Sequence, residues 1–174
     1  VEPDIKVAVS YAGTFVDSTK GKELALSQMN QQKVDICYQI ASQTGIGVLD
    51  AAKELGLYAI GVDGDQAAAF KDSDPAMAEV IVTSMMKRVD QSLLRAVKMA
   101  EEGTLTWGQT EVVGLKELGV GIVYGENFER ELSAENQQLV KDLEQKIING
   151  EIVVDSAIGM DTADFAVIRN EVAP

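Results

Sequence analysis

Apolar positions along the chain alternate between two rhythms. Short runs rich in valine, isoleucine and alanine occupy 5–10, 34–40, 57–62 and 80–86, each of a length that suits one strand. Between the runs, apolar residues recur at helical spacing. Leu24, Ala25 and Met29 follow Asp17, and Val48, Leu49, Ala52 and Leu55 follow Thr44-Gly45-Ile46-Gly47 and stop at Gly56. Leu93, Val97 and Ala100 lie in a predicted helix over 89–102 that ends at Gly103. Between the third and fourth runs the chain reads as a short alanine-rich turn. Valines and isoleucines broken by glycines over 109–124 predict one or two short strands. Ser133 is placed to cap a helix carrying Leu139, Val140, Leu143, Ile147 and Ile148, which Gly150 ends. Residues 152–154 read as a returning edge strand, and 155–174 as an irregular tail.

Strands alternating with helices predict an α/β fold: a mostly parallel sheet with helices on both faces. In such sheets ligands bind in the crevice beyond the carboxyl ends of the strands. Those four loops carry Phe15, Ser42, Asp63 and Lys87 in order, with Asp65 two residues past Asp63. An aromatic plate, a small polar residue, a carboxylate and an ammonium on one rim suit a neutral polyhydroxylated ligand with a flat part. The carboxylate can accept from two adjacent hydroxyls, the ammonium can donate to sugar oxygens, and the phenyl face can stack on a base. Each residue also has a plainer reading. Phe15 can cap the core, Asp63 and Asp65 can be turn residues around Gly64, and Lys87 can form a solvated pair with Arg88 or neutralise a nearby carboxylate. Thr44-Gly45-Ile46-Gly47 opens a helix and could hold an anion, but it lacks the full glycine pattern and lysine of a phosphate loop.

Composition narrows the chemistry. The 174 residues are 46% apolar and 25% charged, which is enough for one substantial domain with a core. Acidic residues number 28 against 15 basic ones, a net charge of −13, so the basic footprint of a nucleic-acid binder is missing. The chain has no histidine, which removes Ser-His-Asp and Cys-His catalysis and the commonest zinc ligand. The single cysteine, Cys37, can form neither an internal disulfide nor a CxxC site, and its apolar run predicts a buried strand thiol. No metal or cofactor is expected. No run approaches the roughly 18 apolar residues of a membrane span. The chain opens Val1-Glu2-Pro3-Asp4, without a signal-peptide pattern and without methionine, which leads to the expectation that its amino terminus was removed.

Several motifs together resemble the basic membrane lipoprotein family, the substrate-binding proteins of certain bacterial ABC importers, to which purine nucleoside receptors belong. They are Ser10-Tyr11-Ala12-Gly13-Thr14-Phe15-Val16-Asp17 with Lys20-Gly21-Lys22-Glu23-Leu24-Ala25; Thr44-Gly45-Ile46-Gly47-Val48; Ile60-Gly61-Val62-Asp63-Gly64-Asp65-Gln66; Thr83-Ser84-Met85-Met86-Lys87-Arg88-Val89-Asp90; and Gly114-Leu115-Lys116-Glu117 with Gly119-Val120-Gly121. They occur in order over nearly the whole chain. The resemblance implies a type I periplasmic-binding-protein-like lobe, one of two that close on a ligand between them. It also implies that the chain is the carboxyl-terminal portion of such a protein. Residues 1–88 would be the second lobe, 89–108 a hinge crossing and a helix belonging to the absent first lobe, and 109–174 the return to the second lobe with its last helix and tail. The apolar face of the 89–102 helix would then be covered by dimerisation, domain exchange or refolding. Family members that bind nucleosides use residues matching Phe15, Asp63 or Asp65, and Lys87. Asp63, nearest the strand end, is preferred, and Asp65 stays open. The family often has a glycine pair before the Thr-Gly motif, where this chain has Ser42-Gln43, so the ligand's identity is open at that point.

Three function classes follow. The first is a receptor that binds a purine nucleoside and delivers it to an ABC permease, extracytoplasmic and lipid-anchored in the full-length parent, catalysing nothing. The second is the same scaffold binding a free sugar or signalling molecule, as receptor or regulator. The third is an enzyme using Asp63 and Lys87 as an acid–base pair. No nucleophile motif, metal cluster or complete cofactor loop supports that third class.

Overall fold

The structure is a computed structural model that describes residues 4–174. Among these the helices are α1 (Ser18–Gln31), α2 (Ser42–Leu55), α3 (Gln66–Phe70), α4 (Pro75–Val80), α5 (Val89–Glu101), α6 (Glu126–Glu131), α7 (Ala134–Ile148) and α8 (Thr162–Glu171). The strands are β1 (Ile36–Tyr38), β2 (Tyr58–Asp63), β3 (Ile81–Lys87) and β4 (Val120–Ile122). The strand order is β1-β2-β3-β4, in a predominantly parallel sheet. The β3–β4 pair is antiparallel, with Met85 opposite Ile122 and Lys87 opposite Val120. The fold class is the α/β one that the alternation predicts. The described residues divide into two compact units, one of residues 4–59 and 154–174, the other of residues 60–153.

In the first unit α1 and α2 pack through small residues. Gly21, Ala25 and Met29 are buried on α1, and Thr44, Gly45, Gly47, Leu49, Ala51 and Ala52 on α2. A Cβ on Gly21 would overlap the Thr44 carbonyl oxygen, and one on Gly47 the Ser18 carbonyl oxygen. The Thr-Gly-Ile-Gly motif therefore serves a close helix–helix contact. Asp17 caps α1 by accepting from the Lys20 amide (3.0 Å), and Gly56, at φ +64°, ends α2. On the outer side, the Lys22 ammonium pairs with Asp50 and Glu54, both at 2.7 Å, and Lys53 reaches Asp50 at 3.0 Å. Bonds from Asp50 and Glu54 push Lys22 up to about 12, and those from Lys22 and Lys53 hold Asp50 below its ordinary value.

The second unit is built on β3. Val62, Met77, Ala78, Ile81, Val82 and Phe128 form its buried apolar core. Asn127 on α6 donates to the carbonyls of Ala78 (2.7 Å) and Ile81 (2.8 Å), which ties α6 to the start of β3. Tyr124 meets Phe128 edge to face at 5.1 Å and donates to Glu144 on α7 (2.7 Å). Desolvation, then that bond, push the Tyr124 phenol up. Helix α5 buries none of its residues.

Several sequence expectations are corrected. Residues 5–10 form no strand: Val7 donates to the Val172 carbonyl (2.7 Å), and Ile5, Val7 and Val9 stay exposed. The 34–40 run yields only β1, with Cys37 buried between exposed Ile36 and Tyr38, because β1 is an edge strand. The alanine-rich turn is two helices, α3 and α4, capped by Asp65 and Asp74, with Pro75 in the first turn. The expectation of one or two short strands over 109–124 holds, with one, Val120–Ile122; Gly114 to Gly119 fold into turns in which the Glu117 carboxylate accepts from the Gly114 amide (2.9 Å). Residues 152–154 are not a strand: the Ile152 amide turns back to the Lys146 carbonyl (3.2 Å). The tail contains α8, capped by Asp161. Helix α6 was not foreseen either.

Candidate functional site

Of the five sequence-predicted residues, Phe15 and Ser42 lie in the first unit, and Asp63, Asp65 and Lys87 in the second. Two of them share an unusual backbone. Ser42 has φ +49° and Asp63 φ +69°, left-handed values that cost a non-glycine residue energy and that occur preferentially at functional positions.

In the second unit Asp63 ends β2 and Lys87 ends β3. The Lys87 ammonium stands 2.8 Å from the Asp63 carboxylate, with both side chains more than half exposed. A pair so open to water contributes little to stability, and its remaining donors and acceptors face solvent. Lys87 is thus not a solvated partner of Arg88. The Arg88 guanidinium lies over Gly121, and its amide donates to the Gly119 carbonyl (2.9 Å). Asp65 is engaged differently, since its carboxylate accepts from the Ala68 amide (3.0 Å) and starts α3. The structure brings Asp63 and Lys87 together and leaves Asp65 as a helix cap.

The Asp63 turn is held from beneath by residues that the sequence reading missed. Gln66 Oε1 accepts from the Val62 amide (2.9 Å), while the Gln66 amide donates to the hydroxyl of Ser84 (3.2 Å), which is fully buried on β3. A Cβ on Gly61 would overlap that Ser84 hydroxyl. The signal available in the sequence was a serine interrupting an apolar strand.

In the first unit the Phe15 ring is 66% exposed, on a loop whose backbone is fastened to the amino end of α2. The Thr44 amide donates to the Phe15 carbonyl (3.2 Å), and Ser42 stands exposed in the same helix turn. That helix end is occupied by the loop's own carbonyl, so it offers no open phosphate cradle. Buried Gln39 accepts from the Ala41 amide (3.3 Å) and supports the connection into α2. Cys37 is buried, and desolvation pushes its thiol up, away from reactivity. Among the described residues, no three Cys, Asp or Glu side chains gather to hold a metal ion, and no helix is long and apolar enough to cross a membrane.

The family profile described as "Bmp: ABC transporter substrate-binding protein PnrA-like" matches residues 1–157. The chain belongs to this family. It is 39% identical to basic membrane protein D of Borreliella burgdorferi (strain JD1) over 154 residues, covering 87% of this chain and 42% of that protein. It therefore spans about two fifths of that relative's length. Among solved structures it is similar to an ABC transporter system solute-binding protein from Aeropyrum pernix K1, with TM-score 0.71 and 30% identity over 94% of this chain and 50% of that one. A transcriptional activator of the comK gene from Bacillus halodurans is also similar, with TM-score 0.69 and 26% identity over 84% of this chain and 48% of that one. This Bmp-family chain thus shares its fold with proteins that bind solutes for transport and with one that regulates transcription.

Proposed function

We propose that the chain supplies one side of the ligand site of an ABC-importer substrate-binding protein, and that the ligand is a purine nucleoside. The observation that carries this reading is the Asp63–Lys87 pair, 2.8 Å apart and open to solvent at the adjacent ends of β2 and β3. A carboxylate and an ammonium that already balance each other favour a neutral ligand, because a charged one would leave one partner unmatched. Vicinal ribose hydroxyls suit them, donating to Asp63 and accepting from Lys87. From the first unit, Phe15 is read as the base-stacking residue that the family resemblance implies, and Ser42 as a further ligand residue. In this reading residues 1–88 and 109–174 belong to one lobe, and 89–108 cross toward a second lobe that closes over the solute before it passes to the permease. Its place is extracytoplasmic, and its role is binding without turnover.

Calorimetric titration of inosine, guanosine, adenosine and ribose into the full-length natural protein, and into this chain, tests the proposal. The expected result is that the full-length protein binds nucleosides more tightly than ribose and that Asp63→Asn weakens that binding. Binding of no nucleoside, or release of free base during the titration, would overturn it. A second reading, a sugar or signalling-molecule receptor or regulator, is favoured by the side chains of Ser42-Gln43 and by the similarity to a transcriptional activator. Monosaccharides bound more tightly than nucleosides would decide for it.

A further inference from the structure

Thr44 is 1% exposed, yet its polar groups gather the backbone on both sides of Phe15. Its amide donates to the Phe15 carbonyl (3.2 Å), its hydroxyl donates to the Thr14 carbonyl (3.2 Å), and the same hydroxyl accepts from the Asp17 amide (2.9 Å). Three backbone groups within four residues are thereby fastened to one side chain and its amide. Thr44 is itself fixed, because α1 approaches so closely at Gly21 that any Cβ there would overlap the Thr44 carbonyl oxygen. The Phe15 ring, by contrast, is 66% exposed, so the ring's own packing does little to hold it.

We infer that Thr44 is the positioning residue of the ligand site: its hydroxyl fixes the loop that presents the Phe15 ring. The inference rests on the reading of Phe15 as the base-stacking residue. A hydroxyl donates and accepts at once, and among side chains of this shape only threonine and serine do both. Valine keeps the shape and loses both bonds. Without them the 14–17 segment exchanges its protein partners for water, and the ring samples orientations that no longer stack.

The test is a double-mutant cycle on the full-length natural protein, with inosine as the probe. Loss of one base–aromatic stack is expected to weaken binding by about tenfold. Phe15→Ala and Thr44→Val should each lower inosine affinity by about that factor, and the double variant by no more than either alone. Thr44→Ser should bind as the parent does. In the ligand-free protein, the Asp17 amide should exchange hydrogen faster in Thr44→Val than in Thr44→Ser. Thermal melts check folding, and Thr44→Ala, which loses the same hydroxyl and fits a smaller space, replaces Thr44→Val if that variant does not fold. An unchanged affinity for Thr44→Val beside a weakened Phe15→Ala overturns the role of Thr44 alone. Additive losses in the double variant overturn it too, since Thr44 would then act through the fold and not through Phe15. If Phe15→Ala binds inosine as the parent does, the reading of Phe15 falls and the inference falls with it.

Discussion

Asp63 meets two demands at once: a left-handed backbone at φ +69° and a carboxylate directed to the Lys87 ammonium. Asparagine tolerates left-handed φ and keeps the side chain's shape, so Asp63→Asn separates charge from fold. Nucleoside affinity is expected to fall by roughly 10- to 100-fold, the loss of a charge-assisted hydrogen bond, while the melting temperature stays within a few degrees. Asp65→Ala should do the opposite. It removes the cap of α3, costs about 1 kcal/mol in urea unfolding, and leaves affinity within about twofold. Equal affinity losses in the two variants would mean that both carboxylates face the ligand. The rim rule for parallel sheets was enough to place Asp63 and Lys87 at strand ends from the sequence, because it needs only where the strands stop. Thr44 and Ser84 escaped it, because each acts on backbone far away in the chain, and Gln66 escaped it because it lies past the strand end and holds the Val62 amide from there. Thr44 bonds Thr14, 30 residues back, and Ser84 bonds Gln66, 18 residues back.

Among the elements, the α1–α2 pair shows what a motif can conceal. Thr44-Gly45-Ile46-Gly47 has the look of an anion-binding helix start, yet Gly47 is there because α1 runs against it at Ser18. Gly47→Ala is expected to cost about 1–3 kcal/mol of stability in urea, since the obstructing atom is backbone and cannot swing aside. The outer edge of the same pair predicts a pH dependence. Lys22 and then Lys53 hold Asp50 below its ordinary value, so the unfolded chain takes up its proton first as the pH falls. The pairing's contribution is complete above the ordinary carboxylate range and disappears as the pH drops through the lowered value. At the other end, the contribution of Lys22 is complete below the ordinary lysine value of 10.5 and is lost as the pH rises from there through about 12. The melting temperature of Asp50→Asn should therefore lie below that of the parent near neutrality, and the difference should close in strong acid. Helices with glycine stops were legible from spacing alone, as α2 and α5 were. Of the elements missed, α3, α4 and α8 were announced by caps, while α6 begins at Gly125 with no side-chain cap. Asp65, Asp74 and Asp161 each accept from a first-turn amide, a signal that apolar periodicity does not register.

At the scale of the whole molecule, two features oppose each other. The chain carries a net charge of −13, which keeps copies apart. Helix α5, however, buries none of its residues, and Val89, Leu93, Leu94 and Val97 are 52%, 63%, 49% and 55% exposed. Contiguous apolar surface of this kind seldom stays uncovered in a monomer. Charge repulsion between exposed groups is screened over about 10 Å at 0.1 M salt, whereas apolar contact is not. The 174-residue chain studied by itself is therefore expected to self-associate, more strongly as salt rises from about 0.02 to about 0.5 M, in sedimentation velocity across a concentration series. Placing glutamates at both Leu93 and Val97 should restore a monomer at every salt concentration. At concentrations low enough that the parent is also monomeric, the melting temperature of that double variant should match the parent's, because no α5 residue is buried within the chain. A parent chain that stays monomeric throughout would show that its surface charge suffices to shield the α5 face. Association that weakens with salt would place the contact on charged groups elsewhere.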